Sequence, residues 1–167
     1  IADPILKGFA PQLHGAEQEG REVDFILKHN GFITTPIISE SSFKIVQALF
    51  SDEYKIIHLA GHGVFNEEIK RKDKTDTTNQ KSQKVSGMLI GDNVFLSTRE
   101  IAQMSTTPEF VFVNCCFLGK SEAAAEKYFQ DRFNLAANFG TQLINNGVKA
   151  VIAAGWAVDD SAAHEFT

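Results

Sequence analysis

Two kinds of hydrophobic pattern alternate along the chain. In the first kind, apolar residues recur every three or four positions between helix-capping and helix-ending residues, and this pattern predicts helices over 15–31, 41–50, 98–104 and 125–147. The second kind is a short apolar run, and it predicts strands at 32–38, 54–60, 109–115 and 148–156. Strands that are apolar throughout are typical of parallel sheets covered by helices on both faces. We therefore expect a three-layer α/β/α domain whose sheet is mainly parallel.

Two segments depart from this alternation. Residues 87–97, GMLIGDNVFLS, are predicted to form a β-hairpin around a Gly-Asp-Asn turn. Residues 66–86 contain ten charged residues among 21 and almost no apolar ones, which predicts a mobile polar loop. The length of 167 residues suits one domain with a single core, so we expect residues 1–167 to form one unit.

Composition and charge narrow the classes of function. The net charge of −5 at pH 7 argues against direct binding of nucleic acid, because phosphate contacts need clustered Lys and Arg. No apolar run approaches the roughly 18 residues of a membrane-spanning helix, and no signal peptide is visible. The two cysteines, Cys115 and Cys116, are adjacent and cannot make a disulfide framework, so we expect reduced thiols and a cytoplasmic location. Since the chain begins without Met and stops within a predicted helix, we expect a fragment of a larger protein.

Chemically useful side chains follow three of the predicted strands. His62 lies in a Gly-His-Gly sequence after the strand 54–60, Cys116 follows Cys115 at the end of another strand, and Asp160 follows the last one. In parallel α/β sheets, ligands bind outside the carboxyl ends of the strands. The pattern therefore predicts that an imidazole, a thiol and a carboxylate lie along one edge of the sheet.

A thiol and an imidazole at one sheet edge predict nucleophilic catalysis. The imidazole helps to form the thiolate and later protonates the leaving amine. The backbone N–H groups of Gly63 and Cys116 are candidates for the oxyanion hole that acyl transfer requires. His62 and Cys116 together supply a base and a nucleophile, and such a site needs neither a metal nor a cofactor.

Four blocks of the chain, taken in order, resemble the CHAT domain of the caspase and separase clan of cysteine peptidases: IIHLAGHGVF, SGMLIGDNVFLSTREI, FVFVNCCFLGK and GVKAVIAAGWAVDDSAAHEF. The resemblance extends from about Leu13 to the end and implies a caspase-like fold. It implies that His62 is the general base and Cys116 the nucleophile, with Cys115 in the position of a small residue before it. The separation of 54 residues between His62 and Cys116 is near the roughly 50 found in caspases.

The resemblance also bears on the substrate. Family members commonly have an acidic residue and Thr after the cysteine, whereas this chain has Phe117 and Leu118, a departure that affects substrate fit. The sequence GWAVDD is similar to the Trp-x-Val-x-Asp segment of separase, whose last Asp lines the pocket for the residue preceding the cut. By that match Asp160 would bind an Arg or Lys side chain through charge pairing and hydrogen bonds. Asp160 could equally cap a helix that begins at Ser161.

The implied function is that of a cysteine endopeptidase that cuts a protein or peptide substrate after a basic residue. CHAT domains usually lie beside repeats or sensor domains, so the resemblance implies control by a regulatory domain in cis or in trans. Prokaryotic stress or defence signalling is the setting it implies, without a membrane or nucleic acid as a direct partner. The alternatives are a catalytically silent caspase-like scaffold or protein-interaction module, and a nucleotide-binding domain, which the absence of a phosphate loop disfavours.

Each candidate residue also has a purely structural interpretation. Cys116 could be a buried core cysteine, and core packing is the role we expect for Cys115. His58 is expected to be a core histidine with its hydrogen bonds satisfied, and Gly61 and Gly63 could form a turn that needs positive φ. A zinc site is a further possibility by ligand type, built from His58, His62, Cys115 and Cys116. It lacks the Cys-x-x-Cys spacing of common zinc sites.

Overall fold

A computed structural model describes residues 1–70, 82–117 and 125–154. Within these ranges, the described side chains are those of residues 1–68, 84–115 and 133–154. The helices are α1 His14–His29, α2 Ser42–Ser51, α3 Thr98–Ala102 and α4 Ala125–Asn145. The strands are β1 Ile56–Lys70, β2 Ser82–Gly91, β3 Val94–Leu96, β4 Phe110–Phe117 and β5 Ala150–Ala153. None of the helices in these ranges is both long and apolar enough to cross a bilayer.

The described strands form one sheet in the order β3-β2-β1-β4-β5. β4 pairs in parallel with β1 on one side and with β5 on the other. β2 pairs antiparallel with both β1 and β3. The α/β class is confirmed, but the prediction of a mainly parallel sheet is wrong because the sheet is mixed. Only residues 71–81 separate β1 from β2, fewer than the dozen or more that the crossover to a parallel neighbour needs, which fits strands that run in opposite directions.

Helices α1 and α4 cover opposite faces of the sheet, as the apolar strands predicted. Glu19 of α1 bonds to the side chains of His58 and Asn114, whereas Leu135 of α4 lies against the position of Gly63. Successive residues of a strand face opposite sides of a sheet. Since His58 and Gly63 are five positions apart in β1, where its pairing with β4 is regular, they lie on opposite faces.

The main core lies on the α4 face of the central strands. Leu59 of β1 and Val111 of β4 are fully buried there, and Leu143 of α4 is also fully buried. These residues belong to one cluster that extends to β2, β3, α2 and α3. Burial of this apolar surface is the dominant stabilising term, at about 25 cal/mol per Å².

Helix α1 has the predicted length, but its large apolar residues are partly buried or exposed. The helix ends before Gly31, whose φ of +84° is the left-handed conformation that glycine adopts readily at helix ends. Its apolar spacing singles out Val23, Ile26 and Leu27; Val23 and Leu27 are half-buried, but Ile26 is 49 % exposed. The position that is buried instead is Glu19, which hydrophobicity alone does not select.

Helix α2 begins as predicted, and Ser41 caps it by accepting a hydrogen bond from the backbone N–H of Lys44. Its apolar spacing predicts an inward face of Phe43, Val46, Leu49 and Phe50, and the structure differs from this prediction. Ile45 and Leu49 are buried, whereas Phe43 is 75 % exposed. Because α2 is apolar on several sides, the helical period does not determine which side the tertiary structure covers.

The strand predicted at 32–38 is not formed. Ile33 is fully exposed, and this segment makes only an isolated bridge, between Ile38 and Ala2. Ala2 also bridges Ala60, so the start of the chain lies between β1 and this segment. Pro36 has no N–H to donate, which disfavours a longer ladder here.

The predicted hairpin at 87–97 is confirmed by β2 and β3, with Asn93 at positive φ in the turn. The prediction of a polar loop over 66–86 is wrong at both ends. Residues 66–70 lie in β1 and 82–86 in β2, with pairs such as Glu67 and Val85. Backbone hydrogen bonds can join such strands whatever side chains they carry. Residues 71–81 lie outside the described ranges.

The close approach of β2 to β3 generates a test of the fold. A Cβ at Gly87 would lie 2.4 Å from the backbone oxygen of Leu96. We expect Gly87→Ala to lower the free energy of unfolding by about 1–3 kcal/mol through overpacking.

Gly140→Ala on α4 is the matched control for Gly87→Ala. The nearest atom to its added Cβ would be 3.9 Å away, on Val151. Because alanine is the better helix former, this change should raise the free energy of unfolding by about 0.5–1 kcal/mol. Urea unfolding measures both changes, and equal effects of the two would contradict the packing described here.

Candidate active site

The parallel ladder between β1 and β4 brings His62 and Cys116 to the same register position. Adjacent strands lie about 4.8 Å apart, and residues in register occupy the same face of the sheet. The two residues predicted as base and nucleophile are thus backbone neighbours. The side chain of Cys116 lies outside the described part of the structure, as does the whole of Asp160.

The Gly-His-Gly sequence lies inside β1 and is not the loop that the sequence predicted. Neither Gly61 nor Gly63 has positive φ, so the turn interpretation is wrong. Both positions lack room for a side chain: a Cβ at Gly61 would lie 2.7 Å from Met88, and one at Gly63 would lie 2.7 Å from Leu135. The absence of a side chain at these two glycines therefore lets Met88 and Leu135 pack directly against the strand.

Gly63 is paired on both sides of β1, with β4 on one side and β2 on the other. It is the last residue of β1 in register with β4, opposite Phe117, and the first in register with β2, opposite Met88. The predicted oxyanion donors, the N–H groups of Gly63 and Cys116, belong to this end of the β1–β4 ladder. In α/β sheets, ligands bind outside the carboxyl ends of the parallel strands.

The His62 side chain is 6 % exposed, and its Nε2 lies 2.7 Å from the backbone oxygen of Pro11. A carbonyl oxygen can only accept a hydrogen bond, so Nε2 carries the proton and donates it. In a neutral imidazole, the other nitrogen, Nδ1, is then an acceptor. The Pro11 carbonyl therefore selects the tautomer in which Nδ1 can take up a proton.

Cys115 is a core residue, as predicted. It is buried on the α4 face and belongs to the main apolar cluster. A Cβ at Gly63 would lie 3.1 Å from its Cβ. Because Cys115 and the neighbouring position 116 alternate across the strand, the thiol of Cys115 lies on the opposite face from the His62 imidazole.

The prediction that His58 is a satisfied core histidine is confirmed. Its Nε2 lies 2.8 Å from Oε1 of Glu19, and the side chain of Asn114 donates to Oε2 of the same carboxylate at 2.7 Å. The His58 ring also stacks on Phe112, with centroids 5.3 Å apart. Sequence reasoning missed Glu19, although its place on the same helical stripe as Ala16 was a signal that a carboxylate faces inward.

Asp3 is a second buried acid near this face that the sequence did not single out. Its Oδ1 accepts a hydrogen bond from the backbone N–H of Leu13 at 2.9 Å, and its own N–H donates to the oxygen of Ala60. Asp3 therefore ties the segment before α1 to the central strand. Its Oδ2 has no hydrogen-bond partner in the described part of the protein.

The zinc site considered from the sequence does not fit the sheet. His58 and His62 lie on the α1 face, whereas Cys115 lies on the α4 face. The Nε2 atoms of the two histidines are already bonded, to Glu19 and to Pro11. No group of three ligating side chains that could hold a metal occurs among the described residues.

A cleft of about 520 Å³ lies away from His62, at the other end of β1. Its walls are mainly apolar and come from α1, α2, residues 31–38 and the start of β1. Asp24 lies on this wall. Burial acts most strongly on its carboxyl and would raise the pKa, but hydrogen bonds from Lys28 and Thr34 and the charge of Lys28 together lower that pKa below its usual value. About 20 Å of strand separates Ile56, at the cleft, from His62.

A comparison with known protein families identifies the family to which the chain belongs. A family model described as the CHAT domain matches residues 4–167. The chain belongs to the CHAT domain family. CHAT is a caspase-like domain related to cysteine peptidases, and the resemblance noted in the sequence is thereby confirmed. Searches of curated proteins and of solved structures found no match.

The two glycines beside His62 provide a test of the packing in this CHAT domain. An added Cβ at Gly63 would meet Leu135 and also the Cβ of Cys115, which belongs to the neighbouring strand. At Gly61 the tightest contact is the flexible end of Met88. We expect Gly63→Ala to destabilise by about 1–3 kcal/mol and Gly61→Ala by less, because Met adapts readily. Thermal unfolding of both variants measures this, and a larger loss at Gly61 would contradict it.

Proposed function

We propose that this CHAT domain is a cysteine endopeptidase in which His62 is the general base and Cys116 the nucleophile. The observation that carries the proposal is the register of β1 and β4, which makes these two residues neighbours on parallel strands. The hydrogen bond from His62 to the Pro11 oxygen gives further support, because it leaves Nδ1 as the basic nitrogen. This is the protonation state that a general base requires.

The proposed reaction begins when the Cys116 thiol loses its proton to Nδ1 of His62 and its sulfur attacks the substrate carbonyl carbon. The carbonyl oxygen becomes an oxyanion, for which the N–H groups of Gly63 and Cys116 are the proposed donors. The imidazolium then protonates the leaving amine, and the C–N bond breaks to give a thioester. Water, deprotonated by His62, hydrolyses the thioester and restores the thiol.

The Pro11 carbonyl has a defined part in this cycle. It accepts a hydrogen bond from Nε2 both before and after Nδ1 takes up the proton, so the ring keeps one orientation. Fixed geometry of this kind lowers the cost of reaching the transition state.

We propose a protein substrate cut after Arg or Lys. This specificity rests on the similarity of GWAVDD to separase, by which Asp160 would pair with the cationic side chain. A regulatory or sensor domain, in cis or in trans, is the partner proposed from the same family, with prokaryotic stress or defence signalling as the setting. A cytoplasmic location accords with this role.

A second candidate function is a caspase-like scaffold without turnover. The observation in its favour is the burial of the His62 side chain, which is 6 % exposed. A general base must reach the proton that it accepts. A scaffold would retain the fold and the register but not the reactivity of Cys116.

Thiol reactivity distinguishes these two functions. If the base is functional, iodoacetamide should label Cys116 much faster than Cys115 at pH 7, because an ordinary thiol of pKa about 8.5 is only a few per cent ionised there. His62→Ala should slow the labelling of Cys116 by about tenfold or more. Peptide mapping by mass spectrometry assigns the label to either cysteine. If Cys116 is labelled slowly, and at the same rate in the wild type and in His62→Ala, the scaffold would be favoured.

Cleavage of a fluorogenic peptide library, varied at the residue before the cut, tests the activity itself. Cys116→Ala should lower kcat by at least about 10³-fold, since it removes the nucleophile, and Cys115→Ala should retain activity as the matched control. Asp160→Asn should reduce cleavage after Arg and Lys by about 100-fold or more relative to other residues. Activity that survives Cys116→Ala would falsify the proposed nucleophile.

A further inference from the structure

The buried carboxylate of Glu19 joins three separate elements of the fold. It is carried by α1, it accepts a hydrogen bond from His58 of β1, and it accepts another from Asn114 of β4. Glu19 is 3 % exposed and Asn114 is 7 % exposed. A charged group is rarely buried unless it is paired, so this carboxylate holds α1 in one position on the sheet.

The carbonyl that orients His62 belongs to Pro11, which lies just before the same helix begins. Glu19 lies five residues after His14, where α1 begins, and Pro11 lies three residues before that. At 1.5 Å per residue, the helical part of this connection is about 8 Å long and rigid. Gly20 lets the helix approach closely, since a Cβ there would lie 2.4 Å from the Cβ of Ala2. A movement of α1 on the sheet would therefore move the Pro11 oxygen relative to His62.

A second connection to β1 is made at Leu13, just before α1. Asp3 accepts a hydrogen bond from the N–H of Leu13 and donates its own N–H to Ala60, two residues before His62 in β1. Leu13 and Glu19, which both follow Pro11 in the chain, are thus connected to β1, the strand that carries His62. These connections limit the movement of the Pro11 oxygen relative to Nε2.

We propose that Glu19 is a positioning residue for His62, acting through α1 and the Pro11 carbonyl to select the imidazole tautomer that can accept a proton at Nδ1. This inference rests on the proposed function for its catalytic consequence. The structural part of the inference is that a carboxylate controls the tautomer of His62 without touching it. This part is argued only from the contacts of Glu19 and Pro11.

The chemistry of the contacts explains why a carboxylate is needed at this position. The amide N–H of Asn114 donates to one oxygen of Glu19, and His58 donates from Nε2 to the other. A carboxylate accepts both bonds, whereas an amide offers one acceptor and one donor. Glu19→Gln can keep both bonds only if the His58 tautomer changes or the Asn114 amide turns over. Glu19→Ala leaves both groups buried without an acceptor.

The experiment compares Glu19→Ala and Glu19→Gln with Glu17→Ala. Glu17 lies two residues away on the same helix and makes an exposed ion pair with Arg21, so its loss controls for removal of an acid from α1. The first measurement is the two-bond ¹H–¹⁵N NMR spectrum of the histidine rings, which reports the tautomer of a neutral imidazole. Spectra of His58→Gln and His62→Gln assign the signals.

In the wild type, we expect His62 to show the Nε2–H tautomer. In Glu19→Ala it should become a mixture of tautomers, in Glu19→Gln the change should be smaller, and in Glu17→Ala it should be absent. Unchanged His62 signals in Glu19→Ala would overturn the proposal, as would an equal effect of Glu17→Ala. If Glu19→Ala does not fold, Asn114→Ala, which removes one of the two donors, takes its place with the same expected direction.

The second measurement is the pH dependence of Cys116 alkylation. A base in the correct tautomer lowers the pH midpoint of alkylation below the ordinary thiol pKa of about 8.5. Glu19→Ala should move the midpoint up by about one pH unit and slow alkylation at pH 7 about tenfold. A stability role alone would lower the melting temperature and leave the midpoint unchanged, which would overturn the proposal.

The two measurements separate the possible failures. If the wild-type midpoint equals that of His62→Ala, the proposed dyad fails, and with it the catalytic consequence of Glu19. The NMR arm still decides whether Glu19 controls the His62 tautomer, because that signal does not depend on the reactivity of Cys116.

Discussion

The parallel pairing of β1 with β4 is the constraint on which the rest of the site depends. Eight residue pairs in unbroken register run from Ile56 opposite Phe110 to Gly63 opposite Phe117. A slip of one residue would move every side chain of one strand to the other face. The neighbourhood of His62 and Cys116, and the burial of Leu59 on the opposite face, therefore follow from one choice of register.

The two faces of the central strands, β1 and β4, carry different kinds of side chain. The α4 face is apolar and contains the main core, in which Cys115 packs. The α1 face carries His58, His62 and Asn114; the Nε2 atoms of both histidines and the amide N–H of Asn114 are bonded to Glu19 or to the Pro11 carbonyl. Burying these groups without partners would cost several kcal/mol in total. Stability comes mainly from one face, and the chemistry that we propose lies at the end of the other.

Much of this could be predicted from the local pattern. The helices α1 to α4, the hairpin of β2 and β3, and the roles of Cys115 and His58 in the core follow from periodicity, turn residues and apolar runs. The predictions that failed depended on neighbours in space. The segment 32–38 has β-branched residues but pairs only through Ile38, and a strand needs a partner to exist. The mixed sheet likewise follows from the antiparallel pairing of β2 with β1, which includes polar residues beyond Val64 that the hydrophobic pattern did not place in strands.

The sequence by itself determined the alternation of helices and strands, the position of His62 and Cys116 after two apolar runs, and membership of the CHAT family. These properties are carried by residues close together in the chain. Only the tertiary structure decided that the Pro11 oxygen contacts His62 and that Glu19 bonds to both central strands. These contacts join residues separated by 39 to 95 positions. Their geometry depends on the packing of α1 against the sheet, which no local pattern encodes.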